Sequence, residues 1–486
     1  MIVQFVRKEM LEMLFGPKFL ITFLISLVLV LSSVYSGFGQ YSSECGWFVK
    51  AKASNVERME NLGSYGNLKD EGTKALRPPG KLGIFVKGVE GTIGRAALIT
   101  GSADLSLGES RNSLNPIFSV FGDLDLAFTV KFILSLFALL FSYNAISGEC
   151  ERGTLQQVFS NRVGRASFII GKSVGGLLTL LITLLVPLLL ALLMLMFNLS
   201  FTGEEWVRIC LMTLGFHIYL AIFYMLGMLM SAVTRSSPVS FLLCLFIWVL
   251  AVVVLPKAAV SMAEQVSPAP SIEHVEARRA ALRRVFYGDL EGRLERAVLD
   301  AYNRNLSYEE RDAARDQAYA ESHELIAEEE RKVLDDYRRR QVRLLRTAET
   351  YARVSPASCL TFALNRICTT DTDLRERFSS ALMRYRDRFI VFVDRLRSEN
   401  PDLADGGVST RVHREEDENG NQLTSVQVEA PTSIIDVSGM PDFHMPAVSL
   451  GDTVGSVIPD LAIMFIEMLL FFTAAVAAFL RYDVRP

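Results

Sequence analysis

Between Val174 and Phe197 the chain reads VGGLLTLLITLLVPLLLALLMLMF, 24 residues without a charged side chain. About 20 helical residues cross a hydrocarbon core roughly 30 Å thick. Lipid offers the backbone no hydrogen-bond partner, so such a stretch must pair its own N–H and C=O groups as a helix. Five more apolar runs share this character: Phe19 to Tyr35, Leu126 to Ile146, Val207 to Ala232, Val239 to Leu255 and Val457 to Leu480. The expected fold is an all-α polytopic membrane protein with six transmembrane helices.

The rest of the chain is of opposite character. Of its 486 residues, 50% are hydrophobic yet 21% are charged, with 50 basic and 54 acidic side chains and a net charge of −4. Mean hydropathy is +0.28 and the pI about 5.9. One soluble core does not combine these figures, so the two kinds of residue must be segregated. Most of the charge falls between Lys257 and Asp452. Length predicts about three domains, and composition makes them a membrane bundle with at least one water-facing domain. A soluble enzyme, a nucleic-acid binder and a disordered tail protein are excluded.

Basic residues near the spans set the orientation. Arg7, Lys8 and Lys18 precede the first span, and Arg152, Arg162, Arg165 and Lys172 separate the second from the third. Arg235 lies between the fourth and fifth, and Arg481 and Arg485 follow the sixth, whereas the opposite short loop carries Glu204 and Glu205. An even span count puts all the basic segments on one side, so both termini are expected in the cytoplasm. Residues 1–18 alternate charged and apolar side chains, an amphipathic pattern suited to the membrane surface, and they are long for the n-region of a signal peptide. The first span is therefore read as an uncleaved anchor.

This gives an expected layout: an interfacial helix at 1–18, span one at 19–35, an extracytoplasmic region at 36–125 and span two at 126–146. A cytoplasmic segment follows at 147–173, spans three to five at 174–256, a large extracytoplasmic domain at 257–455, span six at 456–480 and a tail at 481–486. The first excursion reads as mixed α/β, with Arg77-Pro78-Pro79-Gly80 followed by a strand at Leu82 to Val86. The second reads as mainly helical. Leu290, Leu294, Val298 and Tyr302 form a stripe at four-residue spacing. Ser307 and Glu310 have capping-box spacing, predicting a helix from there to near Arg353, antiparallel to the preceding one. A third helix is expected from Asp373 to Asn400, and Asn419-Gly420 signals a β-hairpin between 411–414 and 422–428.

Chemistry-bearing motifs are few. Gly171-Lys172-Ser173 imitates the end of a phosphate loop, but the required glycine is replaced by Ala166, and Gly164 is two places too early. His323-Glu324 begins like a zinc-protease helix, yet the second ligand position is Ala327. The five histidines, at 217, 274, 323, 413 and 444, form no cluster with cysteine. No catalytic and no metal residues are assigned, and no cofactor is expected on this chain. Of the six cysteines, Cys210 and Cys244 fall in apolar runs, while Cys359 and Cys368 are the nearest candidates for a disulfide. Two ionisable residues stand inside apolar runs, His217 in the fourth and Glu467 in the sixth. Each lies about ten residues, or roughly 15 Å, from its outer end. Charge there is costly, so both should face the bundle interior or a wet cavity.

The segment between the second and third spans is Asn144-Ala145-Ile146-Ser147-Gly148-Glu149-Cys150-Glu151-Arg152-Gly153-Thr154-Leu155, followed by Arg165 and Gly171-Lys172. It resembles the coupling segment of type-2 ABC exporter permeases, with their Gly-Glu, Gly-Thr-Leu, Arg and Gly-Lys pattern. Asn144 stands where an acidic residue is common in that family. Arg77-Pro78-Pro79, Asn115-Pro116, Ser355-Pro356-Ala357-Ser358 and Thr370-Asp371 are similar to phrases of the permeases of gliding motility and nitrous-oxide-reductase maturation. The resemblance implies a non-catalytic transport subunit in a prokaryotic inner membrane, exporting or extracting a substrate. Energy would come from a separate ATPase dimer, which holds the ATP and magnesium. It also implies a second permease, identical or related, and leaves room for an extracytoplasmic protein partner; no nucleic acid is involved. Gly148, Glu149, Glu151, Arg152, Gly153, Thr154 and Arg165 would carry the coupling: glycines permit close approach or a turn, Thr154 caps a helix, and the charges dock into another protein. A membrane-anchored receptor or scaffold without transport is the alternative.

Overall fold

The computed structural model describes residues 2–101, 106–107, 125–160, 164–305, 307–404, 409–416, 422–429 and 434–481. Six helices are long and apolar enough to cross a membrane: Pro17–Glu60, Leu126–Glu151, Arg165–Met196, Gly203–Val233, Ser237–Val266 and Leu450–Leu480. Each covers one of the apolar runs, the third stopping one residue short of Phe197. The chain divides into two units, Met1–Trp248 with Cys359–Pro486, and Val249–Ser358.

In the first unit, helix α1 (Ile2–Leu14) ends at a turn, and Pro17 at the first position opens α2 (Pro17–Glu60). This helix continues well past Tyr35, where the apolar run stops. Glycines 37, 39 and 46 make its second half a poor helix by propensity, so packing must sustain it: Asn55 and Met59 are buried there. Helix α3 (Tyr65–Glu71) is capped by Ser64, whose hydroxyl accepts from the Asn67 N–H. It stops at Gly72, where φ is +71° and a Cβ would lie 1.9 Å from the Ile99 carbonyl oxygen, so glycine is required. Strands β1 (Thr73–Leu76), β2 (Ala96–Ile99) and β3 (Ser106–Leu107) form an antiparallel sheet in that order, with Thr73 opposite Ile99.

Leu82 to Val86 is not the expected strand. A 3-10 turn occupies Lys81–Ile84, with the Phe85 N–H bonded to the Leu82 carbonyl. Leu82, Ile84, Phe85 and Val86 are all buried, so no solvated face enforces alternation. The turn also presses on α2, where a Cβ on Gly37 would lie 2.2 Å from the Ile84 oxygen.

The second span starts as α4 (126–142), whose middle, Thr129–Leu134, is π-helical. Short helices α5 (Ser147–Glu151) and α6 (Thr154–Ser160) follow, then α7 (Arg165–Met196), α8 (Gly203–Val233) and α9 (Ser237–Val249). The second unit holds α10 (Leu255–Val266), α11 (Ile272–Asn303) and α12 (Tyr308–Ala352). Ser307 and Glu310 make the expected capping box, and α11 packs along α12. The predicted stripe is displaced at one end: Ala301 is buried and Tyr302 is exposed. Four-residue steps overshoot the 3.6-residue turn by 40° each, so by Tyr302 the stripe has rotated about 120° away from Leu290.

Helix α13 (Pro356–Ile367) leads the chain back into the first unit at Cys359, where α14 (Leu374–Glu399) precedes the last span, α15 (Leu450–Leu480). Phe378, Leu382, Phe389 and Val393 of α14 form a core with Met59, Leu68, Ile99 and Ile435. Cys359 and Cys368 are both buried free thiols. They lie nine residues apart along helical backbone, about 13 Å, beyond the ~7 Å that a disulfide spans. Arg208 of α8 donates to the carbonyls of Ile367 and Val448 at 2.9 and 2.7 Å. Arg366 meets the buried Asp460 carboxylate at 2.6 Å. Strands β4 (Ser409–Glu416) and β5 (Gln422–Glu429) pair antiparallel, Arg411 opposite Gln427; the expected Asn419-Gly420 turn lies outside the described residues.

Candidate functional site

Gly171 and Gly175, one turn apart on α7, leave a groove into which α1 lies directly. A Cβ on Gly171 would sit 2.8 Å from the Phe5 Cβ, and one on Gly175 2.9 Å from the Glu9 Cβ. This close approach brings Glu9 to Lys172, with Oε1 to Nζ at 2.8 Å. From the other side Glu149 of α5 reaches the same ammonium at 2.7 Å. Lys172 is only 6% exposed, Glu9 13% and Glu149 15%. The second Glu149 oxygen is buried without a hydrogen-bond partner among the described residues. Three elements distant in sequence thus meet on one cation. Removing a single member would strand charge in a poorly solvated place.

The other residues of the segment are also engaged. Glu151 accepts from the backbone N–H and the hydroxyl of Ser237, both at 2.7 Å, and so caps the start of α9. Arg152 is exposed and donates from Nε to the Gly148 carbonyl at 2.9 Å. Gly153 has φ +71° with open space around it, so backbone conformation, not crowding, demands glycine. The Thr154 hydroxyl donates to the Glu149 carbonyl at 3.2 Å. Arg165 donates to the Leu480 carbonyl at 2.8 Å, closing the end of α15. Gly148 lies near Asn144 and Ser237, and Asn144 accepts from Lys18 at 3.3 Å. The Ser231 hydroxyl takes the N–H groups of Ile146 and Ser147 at 2.9 and 3.0 Å.

Of the sequence candidates, the structure gathers Gly148, Glu149, Glu151, Arg152, Gly153 and Thr154 around α5. Arg165 it engages with the end of α15. Glu149 points inward to Lys172, and Glu151 is committed to Ser237; Arg152 keeps an exposed side chain. Sequence reasoning missed Glu9, although a signal was present. Glu9 is in phase with Phe5 and Met13 on the inward face of α1, a charge where that face is otherwise apolar. Lys172 lies seven residues inside α7 with its ammonium occupied by carboxylates, unlike a phosphate-loop lysine at a helix start.

His217 and Glu467 sit on α8 and α15, which pack together, with Gly215 facing Leu461. His217 Nδ1 is 2.7 Å from the Thr213 carbonyl oxygen; a carbonyl only accepts, so Nδ1 carries the hydrogen. That leaves His217 Nε2 buried without a partner among the described residues, as is one Glu467 oxygen. No hydrogen bond or ion pair joins the two side chains among the described residues. His323 lies among the rings of Phe286, Tyr287 and Tyr319. No group of three His, Cys, Asp or Glu among the described residues is placed to hold a metal.

Six helices long and apolar enough to cross a membrane, with an amphipathic helix and an interspan segment locked together by buried charge, define a multi-span helical membrane protein. The chain belongs to a known family of such proteins: the profile described as ABC-2 family transporter protein matches residues 4–484. It is therefore a multi-pass ABC permease, of a family that works with an ABC ATPase subunit. No curated protein matches it in sequence.

Proposed function

We propose that this permease exports or extracts a substrate across a prokaryotic cytoplasmic membrane, driven by a separate ATPase dimer that binds the ATP and magnesium. Two permease copies, or this chain with a related one, form the pathway. Both termini and residues 147–173 face the cytoplasm, while 36–125 and 257–455 face outward. The observation that supports this reading most is the Glu9–Lys172–Glu149 cluster. It makes α1, the third span and the 147–151 helix one mechanical unit, so force applied to α5 and α6 is delivered to the bundle. Arg152, the exposed charge of that helix, contacts the ATPase. His217 and Glu467 line the pathway.

The test is co-purification with the ATPase after Arg152→Glu. Complex recovery and permease-stimulated ATP hydrolysis are expected to fall while membrane insertion is unchanged. Wild-type values of both would remove the coupling assignment, and capture of a partner without any ATPase would favour the scaffold reading. Cysteine labelling of intact cells tests the orientation: position 330 should label and position 486 should not.

A further inference from the structure

Residues 359–367, the part of α13 that belongs to the first unit, include none that is exposed. Cys359, Leu360, Ala363, Leu364 and Ile367 are each at most 1% exposed. Two contacts set this segment against α8. The Ile367 carbonyl accepts from Arg208, next to Val207 where the apolar run of α8 begins, and Leu360 lies 3.9 Å from where a Cβ on Gly215 would stand. The two anchor points are seven residues apart on each helix, so α13 runs antiparallel to α8. At Gly215 it has reached about 12 Å into the span from Val207. On the orientation proposed above, the large excursion between spans five and six returns here into the outer part of the bundle.

Two charged side chains hold it there. Arg366 meets Asp460, which is 0% exposed and ten residues into α15, at 2.6 Å and donates also to the Ser456 carbonyl at 3.1 Å. Arg208, 5% exposed, ties the Ile367 carbonyl to that of Val448, just ahead of α15. Helices α8, α13 and α15 thus close on one another through polar groups and through Gly215, against which Leu360 and Leu461 both lie. Desolvation offsets much of the attraction within a buried ion pair, and separation into water restores the hydration of both partners. Such a pair releases more readily than apolar side chains of the same size.

The joint that follows the segment is strained. Thr369 has φ +58°, and a β-branched residue is an outlier in that region. Asn305, the other non-glycine residue at positive φ among those described, is of a type that tolerates it. At Thr369 the conformation is imposed by neighbours. Its carbonyl accepts from Arg377 at 3.2 Å, and the Thr370 carbonyl accepts from the Val89 N–H at 2.9 Å. Gly88 lies so close that a Cβ there would be 2.4 Å from the Thr370 carbonyl oxygen. Strain of this kind persists only while the surroundings over-determine it, so displacement of α13 relieves it.

We propose that residues 359–367 form a releasable plug in the outer part of the bundle, latched by the Arg366–Asp460 pair and by Arg208, and loaded by the strained joint at Thr369. That the plug closes a substrate pathway rests on the transport reading above; the latch itself does not.

Native thiols report the plug's position. Cys359 and Cys368 are 0% and 3% exposed, and Cys244, on α9, is 0% exposed and serves as the control. The full-length chain in lipid nanodiscs is labelled with a maleimide, and the label is mapped to each cysteine by mass spectrometry. Asp460→Asn, which removes the carboxylate charge facing Arg366, should raise labelling of Cys359 and Cys368 about tenfold or more with Cys244 unchanged. Two variants should act in the opposite direction: Thr369→Gly, which removes the strain, and Asp460→Leu with Arg366→Met, which replaces the latch by apolar packing. Each is expected to slow Cys359 labelling about fivefold. The latch is overturned if Asp460→Asn labels Cys359 at the wild-type rate, or if Cys244 rises in step with it, the mark of general loosening. Should Asp460→Asn not fold, the other two variants decide, and a wild-type or faster rate in both overturns the plug. Addition of the ATPase and ATP is a separate arm, in which wild-type Cys359 should label faster. Variants that behave as stated while ATP changes nothing would keep the plug and remove the transport reading.

Discussion

Glu149 and Glu330 are both glutamates gripped by basic side chains, yet they belong to regions that use charge in opposite ways. Around α5 a single lysine, 6% exposed, is shared by two carboxylates drawn from elements far apart in the chain. Along the α11–α12 hairpin most ion pairs join residues one turn apart, such as Arg340 with Asp336 and Lys332 with Glu328, and are about half exposed. Glu330 is the inward exception, bonded to Arg279 and Arg283 across the two helices. The hairpin carries far more charge, but the buried cluster carries more of the energy at stake per side chain. Solvent screens the hairpin pairs; nothing comparable screens Lys172.

The contrast is broken most directly by Lys172→Met, which leaves Glu9 and Glu149 buried and unpaired. Loss of one partner from a buried pair costs about 3–5 kcal/mol, so the variant should show a large fall in denaturant midpoint. Glu9→Gln and Glu149→Gln added together to Lys172→Met should recover much of it; no recovery would mean that Lys172 acts by packing alone.

Next in size is Gly175→Leu, which pushes a side chain into the space occupied by Glu9 and the Val6 carbonyl. Overpacking of this kind costs about 1–3 kcal/mol. It should also expose α1 to proteolysis, while the hairpin fragments of the digest stay unchanged. An α1 that remains protected would show that the ion cluster, not the glycine groove, seats it.

A smaller effect is expected from His217 and Glu467, whose unpaired atoms lie fourteen residues into α8 and seventeen into α15. If they share a polar site, a double-mutant cycle with His217→Ala and Glu467→Gln should show coupling of about 0.6–2 kcal/mol. Strict additivity would separate them.

The smallest effect sharpens the comparison from the hairpin side. Arg283, then Arg279, hold the Glu330 carboxyl below its ordinary range. A depressed folded value means that the stabilisation is present above the usual glutamate pKa of about 4.3 and is lost as pH falls through the folded value. Wild type should therefore melt slightly above Glu330→Gln at neutral pH, and the difference should vanish in acid. A difference that grows as pH falls would reverse the assignment.

Local pattern was enough wherever the physics is local. The apolar runs had to be helices because lipid leaves the backbone no other partner. Ser307 and Glu310 marked the start of α12, and Pro401 follows the end of α14 at Glu399, because caps and prolines act within a few residues. Periodicity failed where a fixed spacing of four drifted off the helix face at Tyr302. It failed again at Leu82 to Val86, where burial on every side removed the alternation that distinguishes a strand. The segment between the second and third spans was legible as a motif, whereas the contacts inside it were not. Lys172 and Glu9 are 163 residues apart, and only the groove at Gly171 and Gly175 brings them within contact. Hydrogen bonds to the own backbone are encoded by neighbours; a buried charge is balanced by whatever the packed bundle delivers to it, and that only the tertiary structure decides.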